Sequence, residues 1–323
     1  MGHGTCPLVP REYVRCLSPD IFYLKGDENV NMHVIKGNTW AINFPSAVGI
    51  YVFPDNSCLL IDSGASAAFG RRTLKILENW GFQIRALFNT HAHADHCGGN
   101  RYLQETTGCE IYASPIEAAF MENPILIPYG LFSASPVQAL KNKYLMPEAS
   151  RVDFRIEDIE LFVNNDCFRI LPLPGHSLGH TGIITPDEVL FAGDSLTSID
   201  ILKGFPFLYL ADVEKHLDTL NTLRGLNIEQ VFLAHGGLQD NISEVIDYNY
   251  QILMNLLQYI LEVIGQPRER EEILPLMVEK FNLPLNRNQF VLILASLSAC
   301  LSYLCNTKQA KVYTENNRLL FRR

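Results

Sequence analysis

At 323 residues the chain has room for about two domains, or for one large domain with an appendage. Apolar residues make up 47% and charged residues 19%, which excludes intrinsic disorder and leaves ample material for a buried core. With 26 Lys and Arg against 35 Asp and Glu the net charge is −9, so nucleic acid is a poor default partner. The N-terminal segment shows no basic start followed by an apolar run, and the 8 cysteines form no CxxC pair. The expectation is a cytoplasmic protein with reduced thiols.

Ile21 to Leu24, Val48 to Phe53 and Cys58 to Ile61 are β-branched or aromatic runs and read as a strand meander ending at Asp62. Ser66 to Trp80 places Phe69, Leu74, Leu77 and Trp80 near one helical face, and Gly81 marks its stop. A strand over Ile84 to Asn89 then delivers the chain into His-Ala-His-Ala-Asp-His. A helix near Asn100 to Thr106 follows, then strands over Glu110–Ala113, Phe168–Leu171, Gly182–Thr185, Val189–Ala192 and Gln230–Ala234. An amphipathic helix, Asp212 to Leu223, precedes the last of these. Strands alternating with helices predict an α/β layered core whose active loops lie at strand ends. Residues 114–155, broken by Pro115, Pro124, Pro128, Pro136 and Pro147, read as an insert too irregular for the core and a candidate lid.

Periodicity predicts a long helix from Asn241 to Ile264, further helices near Glu269–Phe281 and Arg287–Cys305, and a hairpin over Ala310–Phe321. The uncharged stretch Asn288 to Thr307 is about as long as a bilayer-spanning helix. Its short apolar centre, interrupted by Ser296, Ser298 and Ser302, reads instead as a buried helix, so no membrane partner is expected. From residue 265 onward there are 9 basic and 5 acidic residues, a mildly basic tail without a strong nucleic-acid signature.

His91, His93, Asp95 and His96 crowd into six residues just after an apolar strand. Imidazoles and carboxylates are the usual ligands of zinc and similar divalent ions, and packing does not explain such density. His176 in LPLPGHSLGH, Asp194 in FAGDSL and His235 in FLAHGG each follow another predicted strand and stand beside glycines. His180 reads as a structural neighbour of the site, Cys97 as a buried thiol, and His3, His33 and His216 as surface or satisfied core residues. Tyr129, Phe132 and Tyr144 either line a pocket or pack the insert onto the core.

On these residues the chain, over about 20 to 240, resembles the metallo-β-lactamase-fold hydrolase superfamily, whose HxHxDH motif the HAHADH segment fills at every position. The resemblance implies a four-layer αββα sandwich with a binuclear site. It assigns His91, His93 and His176 to one ion, Asp95, His96 and His235 to the other, and Asp194 as the bridge. It gives Asp62 a structural role behind the metal loop, and Asp95 a secondary part in orienting hydroxide or moving a proton. Two cations would lower the pKa of a bridging water and polarise the bond under attack. Zinc is the expected ion, with manganese and iron as alternatives.

Asp194 stands where zinc β-lactamases characteristically use Cys or lack a bridging side chain, which disfavours true β-lactamase activity. His93 stands where flavodiiron oxygen reductases usually have Glu. The GHSLGH segment is similar to glyoxalase II, lactonases and persulfide dioxygenases. The leading expectation is a binuclear hydrolase of a small ester, thioester or lactone. A mononuclear-iron persulfide dioxygenase and an RNase Z-like phosphodiesterase remain open. Residues 1–240 form the expected catalytic domain. Residues 241–323 resemble in order a winged-helix appendage, expected to pack against that domain or against a second copy in a homo-oligomer.

Overall fold

The structure, a computed structural model, describes residues 32–323. The strand expected at Ile21 to Leu24, His3 and two of the cysteines lie outside the described residues. Within them, Cys58, Cys97, Cys109, Cys167, Cys300 and Cys305 are free thiols.

The first sheet contains β1 (Met32–Lys36), β2 (Thr39–Ile42), β3 (Val48–Val52), β4 (Ser57–Ile61), β5 (Gln83–Phe88), β6 (Glu110–Ala113) and β7 (Phe154–Arg155), in that spatial order. Strands β1 to β4 form an antiparallel meander, whereas β4 to β7 run parallel. Parallel neighbours need crossovers. Helix α1 (Ala67–Asn79) makes the first, and α2 (Ala94–Cys97) with α3 (Asn100–Thr107) the second. Strands β1 and β2 have no counterpart in the sequence reading, because Gly37 and Asn38 leave two short runs with weak alternation.

The insert is more regular than its prolines suggest. Pro115 opens α4 (Pro115–Glu122), where a missing N–H costs nothing, and α5 (Leu126–Phe132) follows. Ala118 and Met121 of α4 belong to the core under the first sheet, which corrects the expectation that this stretch stays out of the core.

The second sheet runs β13-β12-β11-β10-β9-β8, from β8 (Glu160–Val163), β9 (Asp166–Pro172), β10 (Thr181–Ile184), β11 (Val189–Phe191), β12 (Gln230–Leu233) and β13 (Gly237–Gln239). Only β11 and β12 pair in parallel, and the chain between them forms α6 (Ile199–Gly204) and α7 (Val213–Arg224). Alternating side chains divide the interior into layers. Leu59, Ile61, Phe88, Phe168, Ile183 and Phe191 fill the space between the sheets. Cys58, Leu60 and Leu87 face Leu77 of α1 and Leu103 of α3. Leu190, Val231 and Leu233 face Leu220 of α7 and Val245 of the next helix. The result is an αββα sandwich.

That next helix, α8 (Ile242–Val263), leads to α9 (Arg270–Lys280), α10 (Arg287–Asn306) and a hairpin of β14 (Lys311–Glu315) and β15 (Arg318–Arg322). Asn241 and Asn286 cap α8 and α10, and Glu269 with Glu272 forms a capping box on α9. Among the described residues α10 is the one helix long and apolar enough to cross a membrane. Its buried residues, including Ile293, Leu297 and Leu301, share a core with Leu253 and Ile260 of α8 and with Phe205 and Leu210.

Candidate metal centre

The candidate ligands come from loops at the carboxyl ends of strands: His91 to His96 after β5, His176 after β9, Asp194 after β11 and His235 after β12. Backbone bonds across the sandwich draw these loops together, Thr181 N donating to Thr90 O and Ala47 N to Ala234 O, both at 2.9 Å. All seven predicted side chains meet in one place. The ligand atoms of His91, His93 and His176 lie within 4.8 Å of one another, as do those of Asp95, His96, Asp194 and His235. Asp194 lies between the two sets, its Oδ1 3.4 Å from His96 Nε2 and its Oδ2 3.6 Å from both His176 Nε2 and His235 Nε2.

Four imidazoles are oriented from behind. His96 Nδ1 donates to Asp62 Oδ2 at 2.8 Å, His176 Nδ1 to Tyr209 O at 2.8 Å, and His235 Nδ1 to Pro45 O at 2.9 Å. Thr90 Oγ1 donates its only proton to Asp62 Oδ2, so its oxygen accepts from His91 Nδ1 at 3.0 Å. Each bond fixes the tautomer and turns Nε2 toward the centre. His93 instead presents Nδ1, 2.9 Å from His176 Nε2. Nε2 of His91, Nε2 of His96 and Oδ1 of Asp194 are buried without a hydrogen-bond partner. Buried polar atoms left unpaired are costly. Three on converging ligand-type side chains fit a site built to hold cations, and the N/O donor set suits zinc-like ions.

The electrostatics divide the two sets. Burial, with the neighbouring imidazoles His96 and His93, pushes His91 well below its ordinary pKa, and burial together with His93 takes His176 down to about 3. Burial also lowers His96 and His235. There Asp194 and Asp95 outweigh it, raising His96 well above its usual value and His235 to about 9. Burial would raise Asp95 and Asp194, but His96 and His235 hold both carboxyls below the usual range. Burial lowers His93 as well, so the first set is three neutral imidazoles, while the second retains protons where cations can take their place.

Four supporting residues complete the loops. Buried Glu117 of α4 accepts from Ala92 N, Ser177 Oγ and Gly179 N, each at 2.8 Å, and so ties the His91–His93 loop to the His176 loop. The sequence offers Ser114-Pro-Ile-Glu117 only as a helix-start pattern. Ser114 makes no cap and donates to Gly179 O at 2.7 Å instead. His180 Nε2 accepts from Asp194 N at 3.0 Å, which gives this imidazole its structural role. The contact requires Gly193, at φ 53°, because a Cβ there would come within 2.7 Å of His180 Nε2. Tyr209 contributes through its backbone carbonyl, which no side-chain pattern announces.

Cys97 is buried beside Ala92 O, and burial pushes its thiol well above the usual range, as befits an inert packing residue. His216 needs correction. It is buried, but neither ring nitrogen has a partner, and burial lowers it to about 4. His33 is partly exposed. A cavity of about 200 Å³ opens beside the centre, bounded by His93, Asp95, His176, Asp194 and His235. Its wall includes Tyr144 and His216, whereas Tyr129 and Phe132 are exposed on the insert's surface.

Comparison with known proteins matches this arrangement. The metallo-beta-lactamase superfamily model fits residues 43–235. A hydroxyacylglutathione hydrolase from Methylococcus capsulatus is 30% identical over 202 residues, covering 59% of this chain and 66% of that protein. The chain thus spans just under two thirds of that relative's length. Hydroxyacylglutathione hydrolase GloC of Haemophilus influenzae is 29% identical over 59% of this chain and 84% of its own. In fold, a beta-lactamase domain protein from Burkholderia ambifaria superposes with a TM-score of 0.74 at 15% identity, covering 92% of this chain and 95% of that one. A metallo-beta-lactamase family protein from Thermus thermophilus gives a TM-score of 0.68 at 18% identity, covering 91% and 97%. Because the family match runs through every loop that supplies the seven side chains, and the sandwich carries them at the ends of its strands, the chain belongs to the metallo-beta-lactamase superfamily.

Proposed function

We propose that the chain is a hydrolase of small acyl thioesters, with esters and lactones as neighbouring substrate classes, and that it uses two divalent ions, zinc foremost. The observation that carries this reading is the convergence of seven ligand-type side chains on one side of a cavity, with Nε2 of His91 buried and without a hydrogen-bond partner and Nε2 of His96 facing Oδ1 of Asp194 at 3.4 Å. Two complete donor sets support two ions over the single iron of a dioxygenase. Ions bound there would lower the pKa of water and polarise the acyl carbonyl. The relatives named hydroxyacylglutathione hydrolase support a thioester.

The chain's own residues divide the remaining work. His91, His93 and His176 offer neutral nitrogens, and Asp194 faces both sets. Asp95 stays ionised and lines the cavity, so its carboxylate acts as an acceptor that orients the attacking water. In the net reaction water adds to the acyl carbon and the carbon–sulfur bond breaks. One proton leaves on the thiol, and the acid is the second product. Phe207 and Leu208 line the cavity with apolar surface.

Elemental analysis of the purified untagged chain, followed by a thioester, ester, lactone and phosphodiester panel, tests this reading. About two zinc or manganese ions per chain and thioester turnover are expected. A single iron with oxygen uptake, or phosphodiester cleavage alone, would overturn it.

A further inference from the structure

Helix α10 buries Ile293, Leu297 and Leu301, yet Gln289 and Ser296 are buried with them. These two stand seven residues apart, about two turns, and so share one face of the helix. Apolar side chains would serve packing better at such positions. Both polar groups instead reach the loop that follows α6. Tyr209 Oη donates to Gln289 Oε1, and Leu210 N donates to Ser296 Oγ at 3.0 Å. Phe205 and Leu210 of that loop share a core with Ile293 and Leu297, so the two segments are packed as well as bonded.

The same loop holds His176. The peptide group that joins Tyr209 to Leu210 offers its N–H to Ser296, while its C=O accepts from His176 Nδ1 at 2.8 Å. This peptide is trans and planar, so fixing the direction of its N–H also fixes the direction of its C=O. One rigid unit thus connects a hydroxyl on α10 to an imidazole of the first donor set. The loop grips the neighbouring residue too, since Ala211 N and Asp212 N donate to Gly175 O at 2.8 and 3.0 Å. Ser296 is not among the residues that line the cavity, so it reaches the site through this peptide. Helix α10 also lies wholly beyond residues 43–235, which the superfamily model matches.

We propose that Ser296 and Gln289 are positioning residues of the metal centre, and that α10, by holding the Tyr209–Leu210 peptide, sets the orientation of His176. The C-terminal segment is then a working part of the site, not an appendage to it. The proposal rests on the metal-dependent reading above and deepens it. Without the Ser296 hydroxyl, Leu210 N is left buried with no acceptor, and the peptide is driven to turn toward another one. Its carbonyl then leaves His176 Nδ1. The imidazole loses the bond that fixes its tautomer and aims Nε2 toward Asp194, 3.6 Å away.

The test is cobalt binding by the purified full chain, because Co2+ occupies N/O sites much as zinc does and its visible absorption reports the geometry of its ligands. Ser296→Ala should weaken the binding of at least one cobalt ion by about 5-fold or more and shift the visible bands. In the zinc-loaded enzyme kcat should fall while KM stays nearly unchanged, since Ser296 does not touch the cavity. Ser298→Ala is the control. Its hydroxyl accepts from Arg270 Nη1 and donates to Leu294 O, so its loss should lower stability and leave cobalt affinity and spectrum alone. Tyr209→Phe removes the bond to Gln289 and keeps the carbonyl; it should weaken cobalt binding by about 3-fold or more and carries the test if Ser296→Ala does not fold. A folded Ser296→Ala with wild-type affinity and spectrum would overturn the proposal, as would an equal loss in Ser298→Ala. With Ser296→Ala unfolded, an unchanged Tyr209→Phe would do the same. In each of these cases a wild type that binds two ions keeps the metal-dependent reading, whereas a wild type that binds no cobalt would overturn both.

Discussion

Asp62 Oδ2 lies 2.8 Å from Nδ1 of His96 and also accepts, at 2.9 Å, the hydroxyl proton of Thr90, whose oxygen meets His91. One buried carboxylate at the end of β4 thus orients an imidazole in each ligand set. It takes a φ of 61°, uncommon for a side chain other than glycine, and its own N–H is held by Phe88 O at 2.8 Å. Asp62→Ala should lower metal affinity by about 10–100-fold, measured by competition with a chromogenic chelator. An unchanged affinity in a folded variant would show that the ligand loop holds its geometry without this carboxylate.

Removing a ligand should be more severe. His91→Ala and His176→Ala should each cut kcat/KM for the best substrate by at least about 10²-fold, with loss of metal. Asp194→Ala should be as damaging or worse, because its two oxygens face both sets. Full turnover at unchanged metal content by any of these variants would place the active site elsewhere.

Glu117 makes a separate prediction, because its hydrogen bonds go to Ala92, Ser177 and Gly179 and to none of the candidate ligands. Three donors converge on its buried carboxylate. Glu117→Gln swaps one acceptor oxygen for an NH2 that faces those donors, so unfolding free energy should fall by about 2–4 kcal/mol. Urea denaturation of the metal-free and metal-loaded forms measures this loss. A variant of wild-type stability would mean that the two ligand loops are tied together by other contacts.

Metal loading should release protons. His235 is held up at about 9 in the metal-free protein, so near pH 7 it carries a proton that a cation must displace, and affinity should rise with pH up to about 9. Calorimetric titrations in Hepes and Tris, which differ in ionisation enthalpy, should give different apparent heats; identical heats would count against this. The same shift sets a stability trend for the chelated protein. Because the folded pKa lies above the ordinary value of about 6.5, the pairing of His235 with Asp95 stabilises fully below that value. Its contribution fades as pH climbs through about 9.

The insert both packs and lines the cavity. Leu140 and Leu145 form a small core with Val291 of α10, Asn142 Nδ2 donates to Asn288 Oδ1 at 3.0 Å, and Ile127 and Leu131 face the cavity. Replacing residues 126–143 with a short Gly/Ser linker should leave metal content nearly intact, lower the melting temperature, and reduce kcat/KM by about 10-fold or more. Unchanged kinetics in the surviving folded enzyme would remove the insert from substrate binding.

Sequence alone settled what local patterns encode. The strand that delivers HAHADH, the α1 and α7 crossovers and the three C-terminal helices follow from apolar periodicity, because one buried face imposes its period on the residues that cover it. The ligand types were legible as well, since four metal-binding side chains crowded after one apolar strand have no packing explanation. Only the tertiary structure could show that loops from β5, β9, β11 and β12 meet, since the distance between His91 and His235 depends on how two sheets stack. It also decided what surrounds Glu117, the Tyr209 carbonyl and His216. The first resembles a helix-start residue, the second is a backbone atom that any residue supplies, and the third occupies an ordinary buried helical position. What distinguishes them is the partner each gains or lacks across the fold, and a linear pattern carries no record of that.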